Sequence, residues 1–408
     1  MEDFHWIFLA LAAIALLRPL LLPPLPRAEA AAPAARPYRT LGQAMAAPGD
    51  NLLLLRLIAA AAVIYGHSYA ISGIPGAADH IARQGWGHGL YSGSIAVQVF
   101  FAISGFLVTG AWLRRPDVAF FLRSRLLRIV PAYLACLVIS AYVMGSLLTQ
   151  LPRAEYLASG ETWAYVWKNL TFHTNMAWTL PGVFAGNPLP NTVNGSIWTL
   201  VVEARVYLWL VVFGLLGLLD TRERLFYALA VLAACLYAPL ALPMMPMDEF
   251  LRLGGFFAAG CAFYRWRDEI PFHIGGVIVL AVLMYLLRGT DWFFPLYGLT
   301  LVYGVFWFAY GPKFLLGFNR LGDYSYGVYL WGFPIQQLVA MNLAEPTPTR
   351  ITLLALPLAL LAGALSWHLL EQPMLRLKGR RSGPHGAPAA IDNAAAATPP
   401  ARQTAGGS

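Results

Sequence analysis

From residue 52 onward the chain is a succession of apolar runs, each close to 20 residues long, broken by short segments that hold most of its arginines. At about 1.5 Å of rise per residue, a helix of roughly 20 residues spans a hydrocarbon core about 30 Å thick. The polar residues come in clusters between the runs and do not alternate with apolar ones, so no wetted face is available for a soluble fold. Composition agrees: 58% of the 408 residues are hydrophobic and 12% are charged, about half the charged share of an ordinary soluble domain. The expected fold is all-α, a polytopic membrane helical bundle of about ten transmembrane helices with the lipid bilayer as its solvent. The spans read as 52–74, 90–113, 126–149, 197–219, 225–245, 250–266, 271–288, 292–311, 324–343 and 351–371.

The two ends differ from this core. Phe4 to Leu17 is apolar but short for a span, and Arg18-Pro19 and Pro23-Pro24 follow at once, where proline interrupts a helix. The basic start and clean cleavage site of a secretory signal are missing. Residues 27–50 are rich in Ala and Pro and read as a linker, so 1–50 is taken as a partly apolar N-terminal extension, within which Met45 would itself serve as a start. The ten-helix domain is 51–375. Residues 376–408 are basic and then rich in Ala, Pro and Gly, a composition expected to stay disordered.

The net charge of +8 would raise nucleic acid as a partner for a soluble chain. Here the basic residues sit in short loops between apolar runs, where they set topology, and no nucleic-acid binding is expected. With the start of the first span placed in the cytoplasm, eighteen Lys and Arg fall in the inside segments. Five fall outside: Arg83, Arg153, Lys168, Arg288 and Arg350. The bias holds loop by loop and implies an even number of spans with both termini cytoplasmic; counting Phe4 to Leu22 as a further span would move only the N-terminus. Cys136, Cys235 and Cys261 each lie in an apolar stretch without metal-ligand spacing. They read as small core residues, not as a disulfide framework, and no metal site is expected.

Ionisable groups at membrane depth are costly and mark function or a buried pair. Arg56 and His67 share the first span eleven residues apart, close to three turns, so both face one side about 16 Å apart along the axis. Either one alone fits snorkelling or packing; two on one face fit that less well. Glu203 lies in the fourth span at a depth of about 9 Å if the span starts near Ile197, and His67 at about 10 Å. The two are therefore expected to meet, the carboxylate holding the imidazole as a general base. Arg125 and Arg128, at i, i+3 spacing, fit a topology signal with headgroup contacts or a bidentate anion site. Ser104-Gly105 in the second span permits close approach of a helix or ligand.

Taken in order, these segments resemble the membrane-bound acyltransferase 3 family of O-acyltransferases. The Arg56-x10-His67 pair has the family's spacing, and Phe100-Phe-Ala-Ile-Ser104-Gly105-Phe106 resembles its Phe-Phe-x-x-Ser-Gly-Phe block. Arg125-Leu-Leu-Arg128 resembles Arg-x-x-Arg, and Ser196-Ile-Trp198-Thr-Leu-Val-Val-Glu203 resembles Trp-Ser-Leu-x-x-Glu. Ser325-Tyr-Gly-Val-Tyr329-Leu-Trp-Gly332-Phe-Pro334 resembles Ser-Tyr-x-x-Tyr-Leu-Trp-His-x-Pro, and Glu371-Gln-Pro373 the closing Glu-x-Pro. The likeness covers about Asn51 to Pro373. One departure is Gly332, where the family commonly has His.

The resemblance implies transfer of an acyl group, usually acetyl, from acyl-CoA to a hydroxyl of a carbohydrate such as a surface polysaccharide or glycolipid. Acetyl-CoA would be a co-substrate, with no cofactor held permanently. The expected location is a bacterial inner membrane. His67 and Glu203 are the expected catalytic residues. Arg56, Arg125, Arg128 and Ser104 are expected at the donor, and Asn194, Trp198 and Tyr329 on the acceptor side. The competing class is a secondary transporter using the same intramembrane His, Glu and Arg residues; the absence of an evident internal repeat and the one-sided arginines count against it.

The segment 150–196 falls outside by the charge rule. Its Trp163, Trp167, Trp178, Asn187, Asn191 and Asn194 suit an acceptor entrance or an interfacial aromatic belt. A Cys at Thr192 should therefore react with an impermeant thiol reagent in intact cells, and a Cys at Ser382 only after lysis. Labelling of Ser382→Cys in intact cells would invert the topology.

Overall fold

A computed structural model of the chain describes residues 37–87, 89–172, 175–237, 247–313 and 315–377. The apolar start at 4–22, most of the N-terminal extension, the tail after 377 and the Cys235 side chain lie outside the described residues. Among the described residues the protein is all-helical, at 71% helix with no strands. A helix lies in each of the ten segments read above: α1 Leu52–Ile71, α2 Ser92–Arg114, α3 Val118–Leu148, α4 Trp198–Leu215, α5 Arg222–Tyr237, α6 Met247–Arg265, α7 Ile274–Leu286, α8 Phe293–Tyr310, α9 Ser325–Met341 and α10 Pro348–Arg376. Six of them (α1, α2, α3, α4, α8 and α10) are long and apolar enough to cross a membrane. The others are shorter or, like α6 with Asp248, Glu249 and Arg252 near its start, carry charge.

Three stretches depart from the sequence reading. Helix α3 starts at Val118, eight residues earlier than expected, because the Asp117 carboxylate accepts from the Phe120 N–H at 2.9 Å and caps it. Arg123 and Arg125, ahead of the expected start at 126, are thus on the same helix as Arg128. The supposed linker contains a docked helix, Leu41–Ala46, held by a Thr40/Gln43 capping box. Its first N–H groups, orphans within any helix, donate to Ile270 and Arg267 carbonyls, from Leu41 at 3.0 Å and Gly42 at 2.7 Å. Finally, residues 176–197 do not skirt the surface but fold into one end of the bundle. Val183, Phe184, Val193, Asn194, Ser196 and Ile197 are all buried, and Gln337 of α9 pins this segment by donating to the Leu189 and Thr192 carbonyls at 2.9 and 2.7 Å.

Helix α2 runs along both α1 and α6, and α1 packs in turn on α9 and α10. In lipid there is little hydrophobic drive between helices, so close backbone approach through small residues carries the packing. The α2–α6 crossing shows this. A Cβ at Gly105 would lie 2.0 Å from the Phe257 carbonyl oxygen, and one at Gly260 would lie 2.1 Å from the Ala102 oxygen. Gly255, on the same helix as Gly260, faces open space. Gly260→Val should cost about 3 kcal/mol of overpacking and lower the melting temperature in detergent. Gly255→Ala should be neutral or stabilising by about 1 kcal/mol. Equal effects at the two sites would mean that α2 and α6 do not cross here.

Candidate active site

Two arginines and two carboxylates meet where α1, α3, α9 and α10 converge. Arg56 Nη1 lies 2.9 Å from Asp323 Oδ2. Arg128 Nη2 lies 2.5 Å from the same oxygen, and its Nη1 lies 2.9 Å from Glu371 Oε2. The remaining carboxylate oxygens accept from hydroxyls: Asp323 Oδ1 from Ser325 and Glu371 Oε1 from Ser366. The Arg128 guanidinium also sits 5.7 Å from the Tyr326 ring and 5.6 Å from the Trp367 ring, within cation–π reach. Two local devices aim the acids. Gly322, at φ +109°, carries the chain over Trp367 so closely that a Cβ would lie 2.3 Å from the indole nitrogen, and Asp323 follows it. A π-helical turn, Trp367–Glu371, widens α10 where Glu371 turns inward. Burial alone would push the Asp323 carboxyl up, but the Arg56 and Arg128 guanidiniums and the Ser325 hydrogen bonds hold it below the usual carboxylate range.

Beside this cluster opens a cavity of about 830 Å³, lined by Arg56, Arg125, Arg128, Ser104, Glu203 and Tyr207 among apolar side chains. Arg125 differs from the other two arginines. Among the described residues no carboxylate pairs with it; its Nε hydrogen-bonds Ser124 at 3.5 Å, and its guanidinium lies 5.9 Å from the rings of Phe121 and Tyr207. The Tyr207 hydroxyl donates to Glu203 Oε1 at 2.5 Å and lies 2.8 Å from Ser104 Oγ.

A second cavity, of about 700 Å³, is lined by His67, Tyr91, Gln98, Trp198, Arg252 and Tyr329, with Ser94 and Thr199. His67 Nδ1 lies 3.4 Å from Ser196 Oγ, and the ring packs edge-on against Phe333 at 5.3 Å. Ser196 is itself held on both sides: its N–H donates to Asn194 Oδ1 at 3.0 Å, and its carbonyl accepts from the Tyr329 hydroxyl at 2.7 Å. The two cavities share Val97, Thr199 and Tyr329. The Thr199 and Tyr329 hydroxyls, 2.5 Å apart, close the wall between them.

The expected residues are thus redistributed. His67, Trp198 and Tyr329 come together in one cavity, and Arg56, Arg125, Arg128 and Ser104 in the other. Glu203 does not meet His67; it lies with the arginines, and Ser196 takes its place at the imidazole. The reason is the inward fold of 176–197. Ile197 is buried and not at a surface, so α4 starts beside His67, and Glu203, seven residues past Ser196, lies about 10 Å deeper. Asn194 lines neither cavity but donates to the Leu330 carbonyl at 3.0 Å, and Asn187 is engaged by Gln337. Trp163 and Trp167 are exposed on the helix Gly160–Leu170. At Gly332 a larger side chain would need Ile64 to move, since a Cβ would lie 2.8 Å from Ile64 Cγ1. Asp323, Ser196, Gln98 and Arg252 were not anticipated. The sequence signal for Arg252 was a charge inside the sixth span, on neither side of the loop count. Among the described residues no three His, Cys, Asp or Glu side chains converge to hold a metal.

The described residues thus form an all-helical bundle with six helices long and apolar enough to cross a membrane, arginines at one cavity and a histidine at the next. Comparison with known proteins makes the family definite: a profile of the acyltransferase domain of the acyltransferase 3 family matches residues 50–368, and the chain belongs to that family of O-acyltransferases. It is 27% identical over 342 residues to an O-acetyl transferase of Shigella phage Sf6, covering 78% of this chain and 94% of the relative. It is also 27% identical over 330 residues to the exopolysaccharide production protein ExoZ of Rhizobium meliloti (strain 1021), covering 73% of this chain and 94% of the relative. Nodulation protein 10 of Rhizobium leguminosarum bv. viciae is 31% identical over 172 residues, covering 40% and 43%. No solved structure matches.

Asp323→Asn would leave Arg56 and Arg128 undercompensated in a buried site, which costs about 3–5 kcal/mol when one partner of a pair is removed. It should lower the melting temperature of the purified protein sharply. Arg125→Ala should leave that temperature nearly unchanged. A large loss of stability in Arg125→Ala would show that it, too, belongs to the structural cluster.

Proposed function

We propose that the protein moves an acyl group, acetyl above all, from acyl-CoA to a hydroxyl of an envelope carbohydrate such as a surface polysaccharide or glycolipid. The observation that carries this reading is the pair of cavities divided by one wall, with guanidiniums in the first and an imidazole in the second. The names of the Shigella phage and Rhizobium meliloti relatives, an O-acetyl transferase and an exopolysaccharide production protein, agree with it. In this scheme about ten helices cross a bacterial inner membrane with both termini cytoplasmic. The arginine cavity then opens towards cytoplasmic CoA, and the His67 cavity towards the envelope.

Arg125 is the donor's principal phosphate contact, because Arg56 and Arg128 are already paired with Asp323 and Glu371. Those two supply a fixed positive field at the cavity wall. Glu203, held by Tyr207, shapes the donor cavity rather than the imidazole. The thioester end of the donor reaches past Thr199 and Tyr329. His67 Nδ1–H donates to Ser196 Oγ, which leaves Nε2 bare to take the proton of the acceptor hydroxyl. The hydroxyl oxygen attacks the thioester carbonyl, the C–S bond breaks, and the proton passes from His67 to the leaving CoA thiolate. Family membership weighs against the transporter alternative.

His67→Ala should reach the membrane at normal levels and lose acyl transfer by about 10³-fold, within the usual range for a general base. Radiolabelled acetyl-CoA with the purified protein and cell-envelope glycan is the assay. Arg125→Ala should raise the apparent KM for the donor and leave that for the acceptor alone. Undiminished transfer by His67→Ala would remove the base from this scheme.

A further inference from the structure

We infer that the helix Gly160–Leu170 does not lie outside the membrane with the rest of 150–196 but dips into it: a re-entrant helix that runs down α3 into the outer half of the bilayer, with Trp163 and Trp167 covered by lipid chains. This rests on the membrane orientation proposed above and is independent of the reaction.

The argument starts from where the outer boundary crosses α3. Arg56 and Arg128 meet on one oxygen of Asp323, which sets α1 and α3 level at that point. Helix α1 ends at Ile71, and the residue of α3 that lies equally far past Arg128 is Val143. The uncovered side of α3 agrees. Leu126, Leu134, Val138, Ile139, Val143 and Leu147 are exposed along it, and from Leu126 to Leu147 the stripe runs about 30 Å, the thickness of a hydrocarbon core. The boundary therefore falls near Val143 to Leu147. The helix Gly160–Leu170 starts at this level and goes inwards. The Trp163 ring packs edge-on against Tyr142, with centroids 5.6 Å apart. At the other end the Tyr133 hydroxyl donates to the Asn169 carbonyl at 3.2 Å, and Tyr133 lies about 15 Å below Val143.

A helix that ends inside a membrane needs protein partners for its terminal polar groups, and this one has them. Thr171 Oγ lies 3.1 Å from the Trp167 carbonyl and 3.1 Å from that of Lys168, and the next carbonyl, of Asn169, is the one that Tyr133 engages. The Asn169 side chain is fully buried. It donates to the Ala177 carbonyl at 2.9 Å and accepts from the Ala177 N–H at 3.1 Å, which turns the chain back into 176–197. The outer face suits lipid. Gly160, Trp163, Ala164 and Trp167 follow at i, i+3, i+4 and i+7, one stripe of the helix, and both indoles are more than half exposed. The stripe carries no polar side-chain group besides the indole N–H. A glycan would need donors and acceptors beside the rings, whereas acyl chains need none. Lys168, exposed one position on, leans towards the N-terminus of its helix as helical side chains do. That direction is outwards, so its ammonium snorkels to the headgroups.

The full-length protein, Trp163→Phe and Trp167→Phe would each be reconstituted in liposomes whose lipid carries bromine either near the headgroup end or near the middle of its acyl chains. Subtracting the emission of each variant from that of the wild type isolates one indole. Trp163 should be quenched about twofold or more by the shallow bromines and Trp167 by as much with the deeper ones, while aqueous iodide leaves both unchanged. Where a phenylalanine variant does not fold, the tyrosine variant at the same position allows the same subtraction. The inference is overturned if iodide quenches either indole as strongly as the brominated lipids do. Equal, shallow depths would lay the helix flat among the headgroups and overturn it too, and protection from iodide by added cell-envelope glycan would give the face to a sugar instead.

Discussion

The structure hangs on one guanidinium. Arg128 holds Asp323 with one nitrogen and Glu371 with another, lies within cation–π reach of two aromatic rings, and shares Asp323 with Arg56. Four segments distant in sequence are tied at this point: α1, α3, the turn into α9, and α10. Ion pairs so poorly solvated are not a cheap source of stability, since desolvation opposes the Coulomb attraction. Their value lies in specificity. In a bundle of apolar helices many rotations and registers pack about equally well, whereas two arginines and two acids can all be satisfied in few arrangements. Once that register is set, the ends of α1 and α3 present Arg56 and Arg125 to one cavity, and the far end of α1 presents His67 to the other.

Much of this was legible in the sequence, and the failures have a common cause. Apolar run length located a helix in each of ten segments, and helical spacing put Arg56 and His67 on one helix with their cavities apart, as the eleven-residue separation requires. The error over Glu203 came from depth arithmetic that took the start of a helix for the surface of a membrane. Apolar periodicity cannot show that a polar, Pro- and Gly-rich segment folds inward, because its Asn187 and Asn194 side chains donate to α9 carbonyls and Gln337 of α9 donates to its Leu189 carbonyl, contacts across 136 to 150 residues. Asp323 escaped notice for a similar reason. At the end of a span it looks like an ordinary solvated acid, and only the tertiary structure brings two arginines to it. Helix Leu41–Ala46 was missed because its Ala-rich composition resembled the linker around it, although the Thr40/Gln43 capping signal was present.

The two cavities also explain where the molecule can and cannot be tightly packed. Glycines bring α2 and α6 almost into backbone contact at Gly105 and Gly260. Along the same helix, Val97, Gln98 and Ser104 face open volume. A helix packed that closely on one side gives a rigid wall on the other, so the cavities keep their shape without a dedicated scaffold. At Gly332 the opposite has happened: Ile64 occupies the space next to α9, and that part of the α1–α9 seam contributes no functional group.

The wall made by Thr199 and Tyr329 has a further consequence when the two cavities are read as opening to opposite faces of a membrane. On that reading two open volumes lie side by side within an insulating layer, and a cell cannot tolerate a proton or ion leak there. The residues both cavities share are Val97, Thr199 and Tyr329, with the Tyr329 hydroxyl donating to a main-chain carbonyl and lying against the Thr199 hydroxyl. That wall acts as a plug at rest, with no charged group of its own to relay a proton. A narrow, flexible thioester arm that displaces this plug would fill the gap it opens. On this reading catalysis and electrical sealing depend on the same few atoms, and the membrane potential is guarded by whichever of the two, hydroxyl pair or substrate, occupies the passage.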